Sequence, residues 1–443
     1  MRALFDRLPD IVKKALIFIP IRFSGLATQL LTSILIARIL GVADFGAYSY
    51  AMTIVTLFVA FCTLGLSAIS VREFAAFYTR GDSGRLRGYI TVMLATMVLT
   101  ALILGTGLYF GEVSGRMALA PGWALVLAVI LTQALTNMLS ELLSGMQRIN
   151  TAQWISTLPR AFSYMIAIYV LYLFGFDFTP RTLFILYAVL TLPMILSMLR
   201  IAYRDLRARF ERFDKPVFET RIWLFSSLPI ALQLFSQNLS SQIDIIMLAN
   251  MMTDYEVGLY KAAFRAASLG TLGALIAVSV LRPMLARAAA QDNQPEAQRL
   301  LAMTAGMSAL FGLPLWGIIG FWGESILAIF SQEFTAGTAT LRYLLIGQFV
   351  NIVTGAGGVI LMIYRYERDI LYLQFLAIVM NIVLNYILIS WLGLNGAAIA
   401  TTISMTVINI IMTVLAWRRV GLDPTPLATL KLGRQWLARR AAR

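Results

Sequence analysis

Gln233, Gln237, Ser240 or Ser241 and Asp244 recur at steps of three to four residues inside a run that is otherwise apolar. That rhythm places them on one face of a helix. Gly25, Gln29 and Thr32 repeat the rhythm near the N-terminus, while Lys261 and Arg265, and likewise Asn381 and Asn385, stand four apart and so share a helix face. Amides and hydroxyls at this spacing bind polar groups. A pair of cations receives an anion such as a phosphate or pyrophosphate, and a lone carboxylate takes up a proton or a cation. None of these sets builds a nucleophile with its base. The chain contains no histidine, which removes Ser-His-Asp and Cys-His catalysis, His-ligated metals and imidazole relays. Cys62 is the single cysteine, so there is no disulfide framework and no Cys-based metal site. No Gly-x-x-x-x-Gly-Lys-Ser/Thr loop occurs, so the protein hydrolyses no ATP.

The elements that position these residues follow from composition. The 443 residues are 59% hydrophobic and 13% charged, against about 25% charged in a soluble domain. Apolar runs of about 20 residues bounded by charge, Gly or Pro fall at 16–40, 45–71, 88–110, 118–146, 154–175, 182–199, 222–250, 255–281, 300–322, 336–363, 370–392 and 395–417. The expectation is an all-α polytopic membrane protein of twelve transmembrane helices. Lys13 and Lys14 before an apolar run imitate a secretory signal, but the run is long, holds Arg22 and continues into a further span; it reads as a retained first helix.

Orientation follows the basic residues. With both termini cytoplasmic, 28 of the 36 Lys and Arg fall in cytoplasmic segments, and the outer loops hold only Arg116 and Arg181 among bases. Trp123, Trp154, Trp223, Trp316, Trp322, Trp391 and Trp417 fall near span ends, where the headgroup layer suits an indole. The formal charge of +14 therefore reads as topology and attraction to anionic lipid, not nucleic-acid binding.

The longest polar stretch, Arg200–Arg221, divides the chain into an N-lobe (1–199), a linker (200–221), a C-lobe (222–417) and a basic tail (418–443). The lobes resemble each other. Asp44-Phe-Gly-Ala-Tyr48 pairs with Glu256-Val-Gly-Leu-Tyr260, and Gln147-Arg148 sits where Tyr364-Arg365 recurs. Six spans per lobe give a parallel repeat about an axis along the membrane normal. In that alignment Gly25, Gln29 and Thr32 correspond to Gln237, Ser241 and Asp244, which puts the first and seventh helices at one central cavity. Linker and tail residues Leu427–Arg443 mix apolar residues with arginine; each is either a basic amphipathic helix on the leaflet or a solvated connector.

Ionised groups inside a membrane face a cavity or a partner. Two carboxylates, Glu141 and Asp244, and six bases, Arg22, Arg38, Arg160, Lys261, Arg265 and Arg342, lie within the spans, so the cavity reads as net cationic. Arg22, Arg160, Arg38 and Arg342 have snorkelling to the headgroups as a competing role. Asp244 is open to ion coupling or to structural pairing with a base, Glu141 reads as structural, and Asn381 and Asn385 are open to lining the route or bonding neighbouring helices. Gly107-x-x-x-Gly111 and Gly355-Ala-Gly-Gly358 read as places where helices approach closely or bend.

Local stretches resemble one family. Ala37-Arg-Ile-Leu-Gly-Val-Ala-Asp-Phe-Gly-Ala-Tyr48, Leu64-Gly-Leu66 with Arg72-Glu73, Leu228-Pro229, Asp244, Val257-Gly-Leu-Tyr-Lys-Ala-Ala263, Asn381-Ile-Val-Leu-Asn385 and Leu392-Gly-Leu-Asn-Gly-Ala-Ala398 resemble the polysaccharide-biosynthesis flippases, the Wzx-type O-antigen transporters of the multidrug/oligosaccharidyl-lipid/polysaccharide (MOP, MATE-like) superfamily. The resemblance implies two pseudo-symmetric six-helix lobes, alternating access, and movement of undecaprenyl-pyrophosphate-linked oligosaccharide between leaflets of the bacterial plasma (inner) membrane. It implies no cofactor beyond a driving H+ or Na+ gradient, and as partners membrane lipids with a glycan polymerase and chain-length machinery. Arg38, Gln29, Gln237, Lys261, Arg265, Asn381 and Asn385 are the expected substrate-binding residues, and Asp244 the ion-coupling residue. A drug/cation antiporter of the same superfamily is the alternative, with an acidic cavity. A membrane glycan polymerase or ligase is a third reading, and it would need a long outer loop.

Overall fold

The computed structural model describes residues 10–428 except Arg116, Phe213 and Gly355, with side chains from Ser24 onward apart from positions 157, 158, 273–276, 279 and 280. The described residues are mostly helical and include no strand. In chain order the helices are α1 (Asp10–Val59), α2 (Leu66–Arg80), α3 (Ser83–Val113), α4 (Trp123–Gly145), α5 (Ile149–Leu173), α6 (Pro180–Arg209) and α7 (Thr220–Met251). The series continues with α8 (Asp254–Ser268), α9 (Leu272–Ala290), α10 (Gln294–Phe321), α11 (Gly323–Ala328), α12 (Thr338–Thr354), α13 (Gly357–Ile363), α14 (Glu367–Leu392) and α15 (Leu394–Val420). Among the described residues eight helices are long and apolar enough to cross a bilayer, or nine counting a pair, 332–354 and 357–363, bent by 47°. The bend falls between Thr354 and Gly357, and Gly357 lets α13 approach the Thr413 backbone of α15, which a Cβ would meet at 3.1 Å.

At 1.5 Å per residue an unbroken α1 would run roughly 75 Å, more than twice a bilayer core. Gly41, at φ 75 and ψ 179, divides it into two helices where the sequence separates its first two spans.

Two compact units emerge from packing: residues 23–250, holding α1 from Phe23 onward through α7, and a second holding residues 10–22 of α1 together with α8–α15. In the first, α4 packs on α2, α3, α5 and α6; in the second, α9 packs on α10, and α15 on α12, α13 and α14. The sequence reading draws its lobe boundary in the 200–221 linker, whereas packing groups α7 with the helices before it.

The linker is helical in its first half and docked, rather than a solvated connector, in its second. Residues up to Arg209 prolong α6, and 214–219 form an extended strap on the first turns of α3. Ser83 Oγ donates to Asp214 Oδ2 at 2.6 Å and accepts from Asp214 N at 2.9 Å, Val217 N donates to Gly84 O at 3.0 Å, and Arg87 donates to Asp214 O at 2.9 Å. The strap lies so close that a Cβ on Gly88 would fall 1.9 Å from Val217 O. In the second unit Gln298, near the start of α10, clasps Asp423 in the same way: its amide donates to Asp423 O at 3.0 Å and accepts from Asp423 N at 2.8 Å. Tail residues 429–443 lie outside the described residues, as does the Arg22 side chain.

Repeated loops confirm the internal duplication and correct its register at one point. Asp82 and Asn293 cap α3 and α10 alike, each accepting from the backbone three residues on (Arg85 N, 2.9 Å; Glu296 N, 3.2 Å), after a left-handed Gly81 or Asp292. Left-handed residues after α4 and α13 are Gln147 (φ 64) and Arg365 (φ 63), followed by Arg148 N→Leu143 O and Tyr366 N→Leu361 O. Gln147 therefore matches Arg365, one residue away from the ungapped sequence pairing. The paired Tyr48 and Tyr260 differ in partner: Tyr48 reaches the Tyr164 hydroxyl on α5 (3.5 Å) and Tyr260 the Thr401 hydroxyl on α15 (3.1 Å).

Two other sequence readings are corrected. Gly107 has nothing within 4 Å of a would-be Cβ, so Gly107-x-x-x-Gly111 is no helix-packing face. Trp223 is 2% exposed, edge-on to Tyr89 at 5.0 Å, and so is a core residue rather than a headgroup anchor.

Candidate functional site: interrupted spans and intramembrane polar groups

The second apolar run of the sequence, 45–71, is not one helix. The α1 ladder ends at Val59, and a turn through 60–65 carries Leu64 at φ 46 and Gly65 at φ 74 before α2 begins. Backbone carbonyls freed inside a membrane must find partners. Thr100 of α3 donates to Cys62 O at 2.7 Å and Ser227 of α7 to Leu64 O at 3.0 Å. A Cβ on Gly65 would lie 2.6 Å from both Ser227 O and Ala231 Cβ; the left-handed turn and the tight α7 contact both require glycine there. The eighth run, 255–281, is interrupted about a turn earlier in the repeat by a 3-10 turn, Leu269–Thr271, between α8 and α9. There Gly312 of α10 approaches Gly270 O, which its Cβ would meet at 3.0 Å.

The first interruption opens a cavity of about 210 Å³ within the first unit. Thr56, Val59, Ala60, Thr63 and Ser67 line it from the break, Ala134 and Asn137 from α4, and Leu234 and Asn238 from α7. Gln133, Asn137 and Glu141 run along one face of α4 at steps of four; Gln133 Oε1 and Glu141 Oε2 are buried without a hydrogen-bond partner among the described residues. The sequence reading singles out Glu141 on this helix and misses its amide neighbours, as it misses Thr56, Thr63, Ser67 and Asn238. A signal was present: interrupted spans in both halves point to a binding region in transporters.

The α7 stripe divides. Gln237 and Ser241 are exposed, Gln233 is half-buried, and Asp244 is 4% exposed and engaged rather than isolated. Gln242, one position off the stripe, accepts from Thr53 at 3.1 Å. On α1, Gln29 and Arg38 are exposed, while Thr32 spends its hydroxyl on Thr28 O at 2.7 Å. Thus Gln237, Ser241, Gln29 and Arg38 present polar groups at the surface of the first unit, and Asp244 sits in its interior.

In the second unit, Lys261 and Arg265 are half-buried on α8, which packs on α12. A Thr253–Glu256 capping box starts this helix, Thr253 N donating to Glu256 Oε2 at 3.1 Å, which accounts for the acidic residue of the Glu256–Tyr260 motif. Arg265 stands one turn before the interruption at Leu269. Asn381 and Asn385 are buried on α14 and bond each other, Asn385 Nδ2 donating to Asn381 Oδ1 at 2.8 Å. Their geometry is that of interior polar packing in a bundle. Arg342 is exposed and Arg160 half-buried. Among the described residues no group of three or more acidic, Cys or His side chains is placed to hold a metal.

Comparison with known proteins bears on what such an arrangement serves. A family model described as polysaccharide biosynthesis protein matches residues 11–289, and one described as MatE matches 229–387. The probable low-salt glycan biosynthesis flippase Agl15 of Haloferax volcanii is 26% identical over 171 residues, which is 38% of this chain and 36% of that protein. The chain thus spans about a third of the length of that curated relative. Among solved structures, an inward-facing multidrug resistance MATE family transporter of the MOP superfamily superposes with a TM-score of 0.70 at 16% identity, covering 90% of this chain and 94% of that one. The lipid II flippase MurJ in an inward closed conformation gives 0.68 at 14% identity, over 96% and 91% of the two chains. These likenesses establish a shared fold. A family model covering more than half of the chain, on an all-α scaffold of membrane-spanning length, makes this a multi-pass membrane protein of the polysaccharide biosynthesis protein family.

Proposed function

We propose that this chain is a flippase that carries undecaprenyl-pyrophosphate-linked oligosaccharide units from the cytoplasmic to the outer leaflet of the bacterial plasma membrane, by alternating access driven by an H+ or Na+ gradient. It makes and breaks no covalent bond. The reading is carried by Lys261 and Arg265, two half-buried cations one turn apart on α8. Holding like charges together at membrane depth is costly, and a doubly charged pyrophosphate repays that cost through charge-assisted hydrogen bonds. Family membership supports the same reading, as does the printed function of the Haloferax relative. Gln29, Arg38 and Gln237 would contact the headgroup or its sugars, and Asp244 would couple the gradient. O-antigen assembly and contact with a polymerase and chain-length machinery belong to this proposal.

The MatE match over 229–387 favours a second reading, a drug/cation antiporter. That activity needs an acidic cavity, whereas the spans hold six bases against two carboxylates. Binding separates the readings. Purified protein in nanodiscs should bind undecaprenyl pyrophosphate, and K261A/R265A should weaken this at least tenfold without gaining or losing affinity for tetraphenylphosphonium. Unchanged pyrophosphate binding in the double variant, or tight binding of the organic cation alone, would overturn the proposal.

A further inference from the structure

The cavity at the broken second span has a chemistry distinct from the cationic pair. Its lining carries five polar side chains, Thr56, Thr63, Ser67, Asn137 and Asn238, and no charge. Most of their hydrogen-bonding capacity is unspent. Thr63 is 2% exposed, and its hydroxyl has no partner among the described residues. The Ser67 hydroxyl and the Asn137 and Asn238 carboxamides also make no hydrogen bond within the described protein, while Thr56 donates to Met52 O at 2.8 Å and keeps its lone pairs for an incoming donor. A buried polar atom left without a partner is costly; the Thr63 hydroxyl is that atom here, and half-buried Ser67 and Asn238 with exposed Thr56 and Asn137 stand beside it, so the space favours a hydrogen-bonding occupant. Val59, Ala60 and Leu234 supply an apolar side.

Hydroxyls and amides around an apolar wall match a pyranose ring, with its equatorial hydroxyls or acetamido group and its C–H face. Size agrees: about 210 Å³ is below the roughly 300–1,000 Å³ of drug-sized sites, enough for one sugar ring. Charge is selected against, because a carboxylate placed here would meet no countercharge. The location agrees too, since each half has an interruption in this span, at 60–65 and, about a turn earlier in the repeat, at 269–271, and interrupted spans in both halves point to substrate regions in repeat-built transporters.

Resting on the flippase reading, we propose that this cavity is a monosaccharide subsite that holds one uncharged hydroxyl- or acetamido-bearing sugar of the transported glycan, read by Thr63, Ser67, Asn137 and Asn238. The site serves recognition of the sugar, separately from anchoring of the pyrophosphate.

Saturation-transfer NMR on the full chain in nanodiscs, with N-acetylglucosamine, glucose and glucuronate as probes, tests it. At least one neutral probe should bind and glucuronate should not. T63V, N137L and N238L, each close to isosteric, should lower the neutral-sugar signal at least fivefold, and K261A/R265A should leave it unchanged. Thermal unfolding in detergent verifies that each variant is folded. Absence of neutral-sugar binding, equal binding of glucuronate, or unchanged binding in all three cavity variants would overturn the subsite. Lipid-linked glycan transfer assayed on the same wild-type protein separates the two claims. Transfer without sugar binding leaves the flippase reading standing and removes the subsite; cavity-dependent sugar binding without transfer does the reverse.

Discussion

Gly88→Ala offers a close test of how the interlobe linker is held. A Cβ at this position would lie 1.9 Å from Val217 O and 2.7 Å from Val217 C. Both are backbone atoms, so no side chain can swing away, and the strap must lift by more than an ångström. Lifting forfeits Val217 N→Gly84 O, Ser83 Oγ→Asp214 and Arg87→Asp214 O. Overpacking costs about 1–3 kcal/mol, and each hydrogen bond contributes about 0.5–1.5 kcal/mol net, with water replacing part of it at this exposed edge. The docked strap should therefore lose about 2–4 kcal/mol, which at 1.4 kcal/mol per decade is roughly 30- to 700-fold in its docking equilibrium. Trypsin reads this at Arg209 and Arg212, both exposed and adjoining the strap, because cleavage follows the population of the open form. Gly107→Ala, on the same helix with nothing within 4 Å, is the control and should leave cleavage unchanged while stabilising α3 by about 0.5–1 kcal/mol. Wild-type cleavage and stability in the Gly88 variant would refute the docked strap.

Other expectations are briefer. Arg148 pairs with Asp205, which is 9% exposed; R148A should destabilise by about 1–3 kcal/mol, less than a fully buried pair because Arg204 stands 3.5 Å from the same carboxylate, and D205N in the R148A background should restore part of the loss in thermal unfolding. The Thr63 hydroxyl is buried without a partner among the described residues, so T63V should be neutral or stabilising by up to about 1 kcal/mol; a loss of more than that would mean the hydroxyl is engaged within the folded protein. Asn385 donates to Asn381, so N385L alone should cost about 1–3 kcal/mol by stranding its partner, while N381L/N385L should recover most of it; equal losses would show that the two amides do not act as a pair.

Much of this fold was legible from hydropathy and from the repeat. Spans as apolar as 182–199 or 395–417 have no option but helix in lipid, and the repeat read from the sequence returns in the matching caps at Asp82 and Asn293. What hydropathy does not register is backbone geometry. Residues 60–65 are as apolar as their neighbours, so the break after Val59 was invisible in a window average, although Gly65 carried its signature. The same blindness shifted the Gln147–Arg365 pairing by one, since its determinant is a left-handed φ rather than a side chain. Charged candidates such as Lys261 and Arg265 stand out in an apolar background. Thr63, Ser67, Asn137 and Asn238 do not, because small hydroxyls and amides are ordinary constituents of membrane helices; only the cavity that gathers them sets them apart.

The most direct measurement is leaflet-resolved transfer of undecaprenyl-pyrophosphate-linked oligosaccharide in proteoliposomes holding the purified chain, with and without an imposed H+ or Na+ gradient. The account predicts gradient-stimulated appearance of glycan in the far leaflet, reduced at least tenfold by K261A/R265A, with D244N losing the response to the gradient. Transfer no faster than in empty liposomes under either gradient, or transfer indifferent to both charged residues on α8, would contradict it.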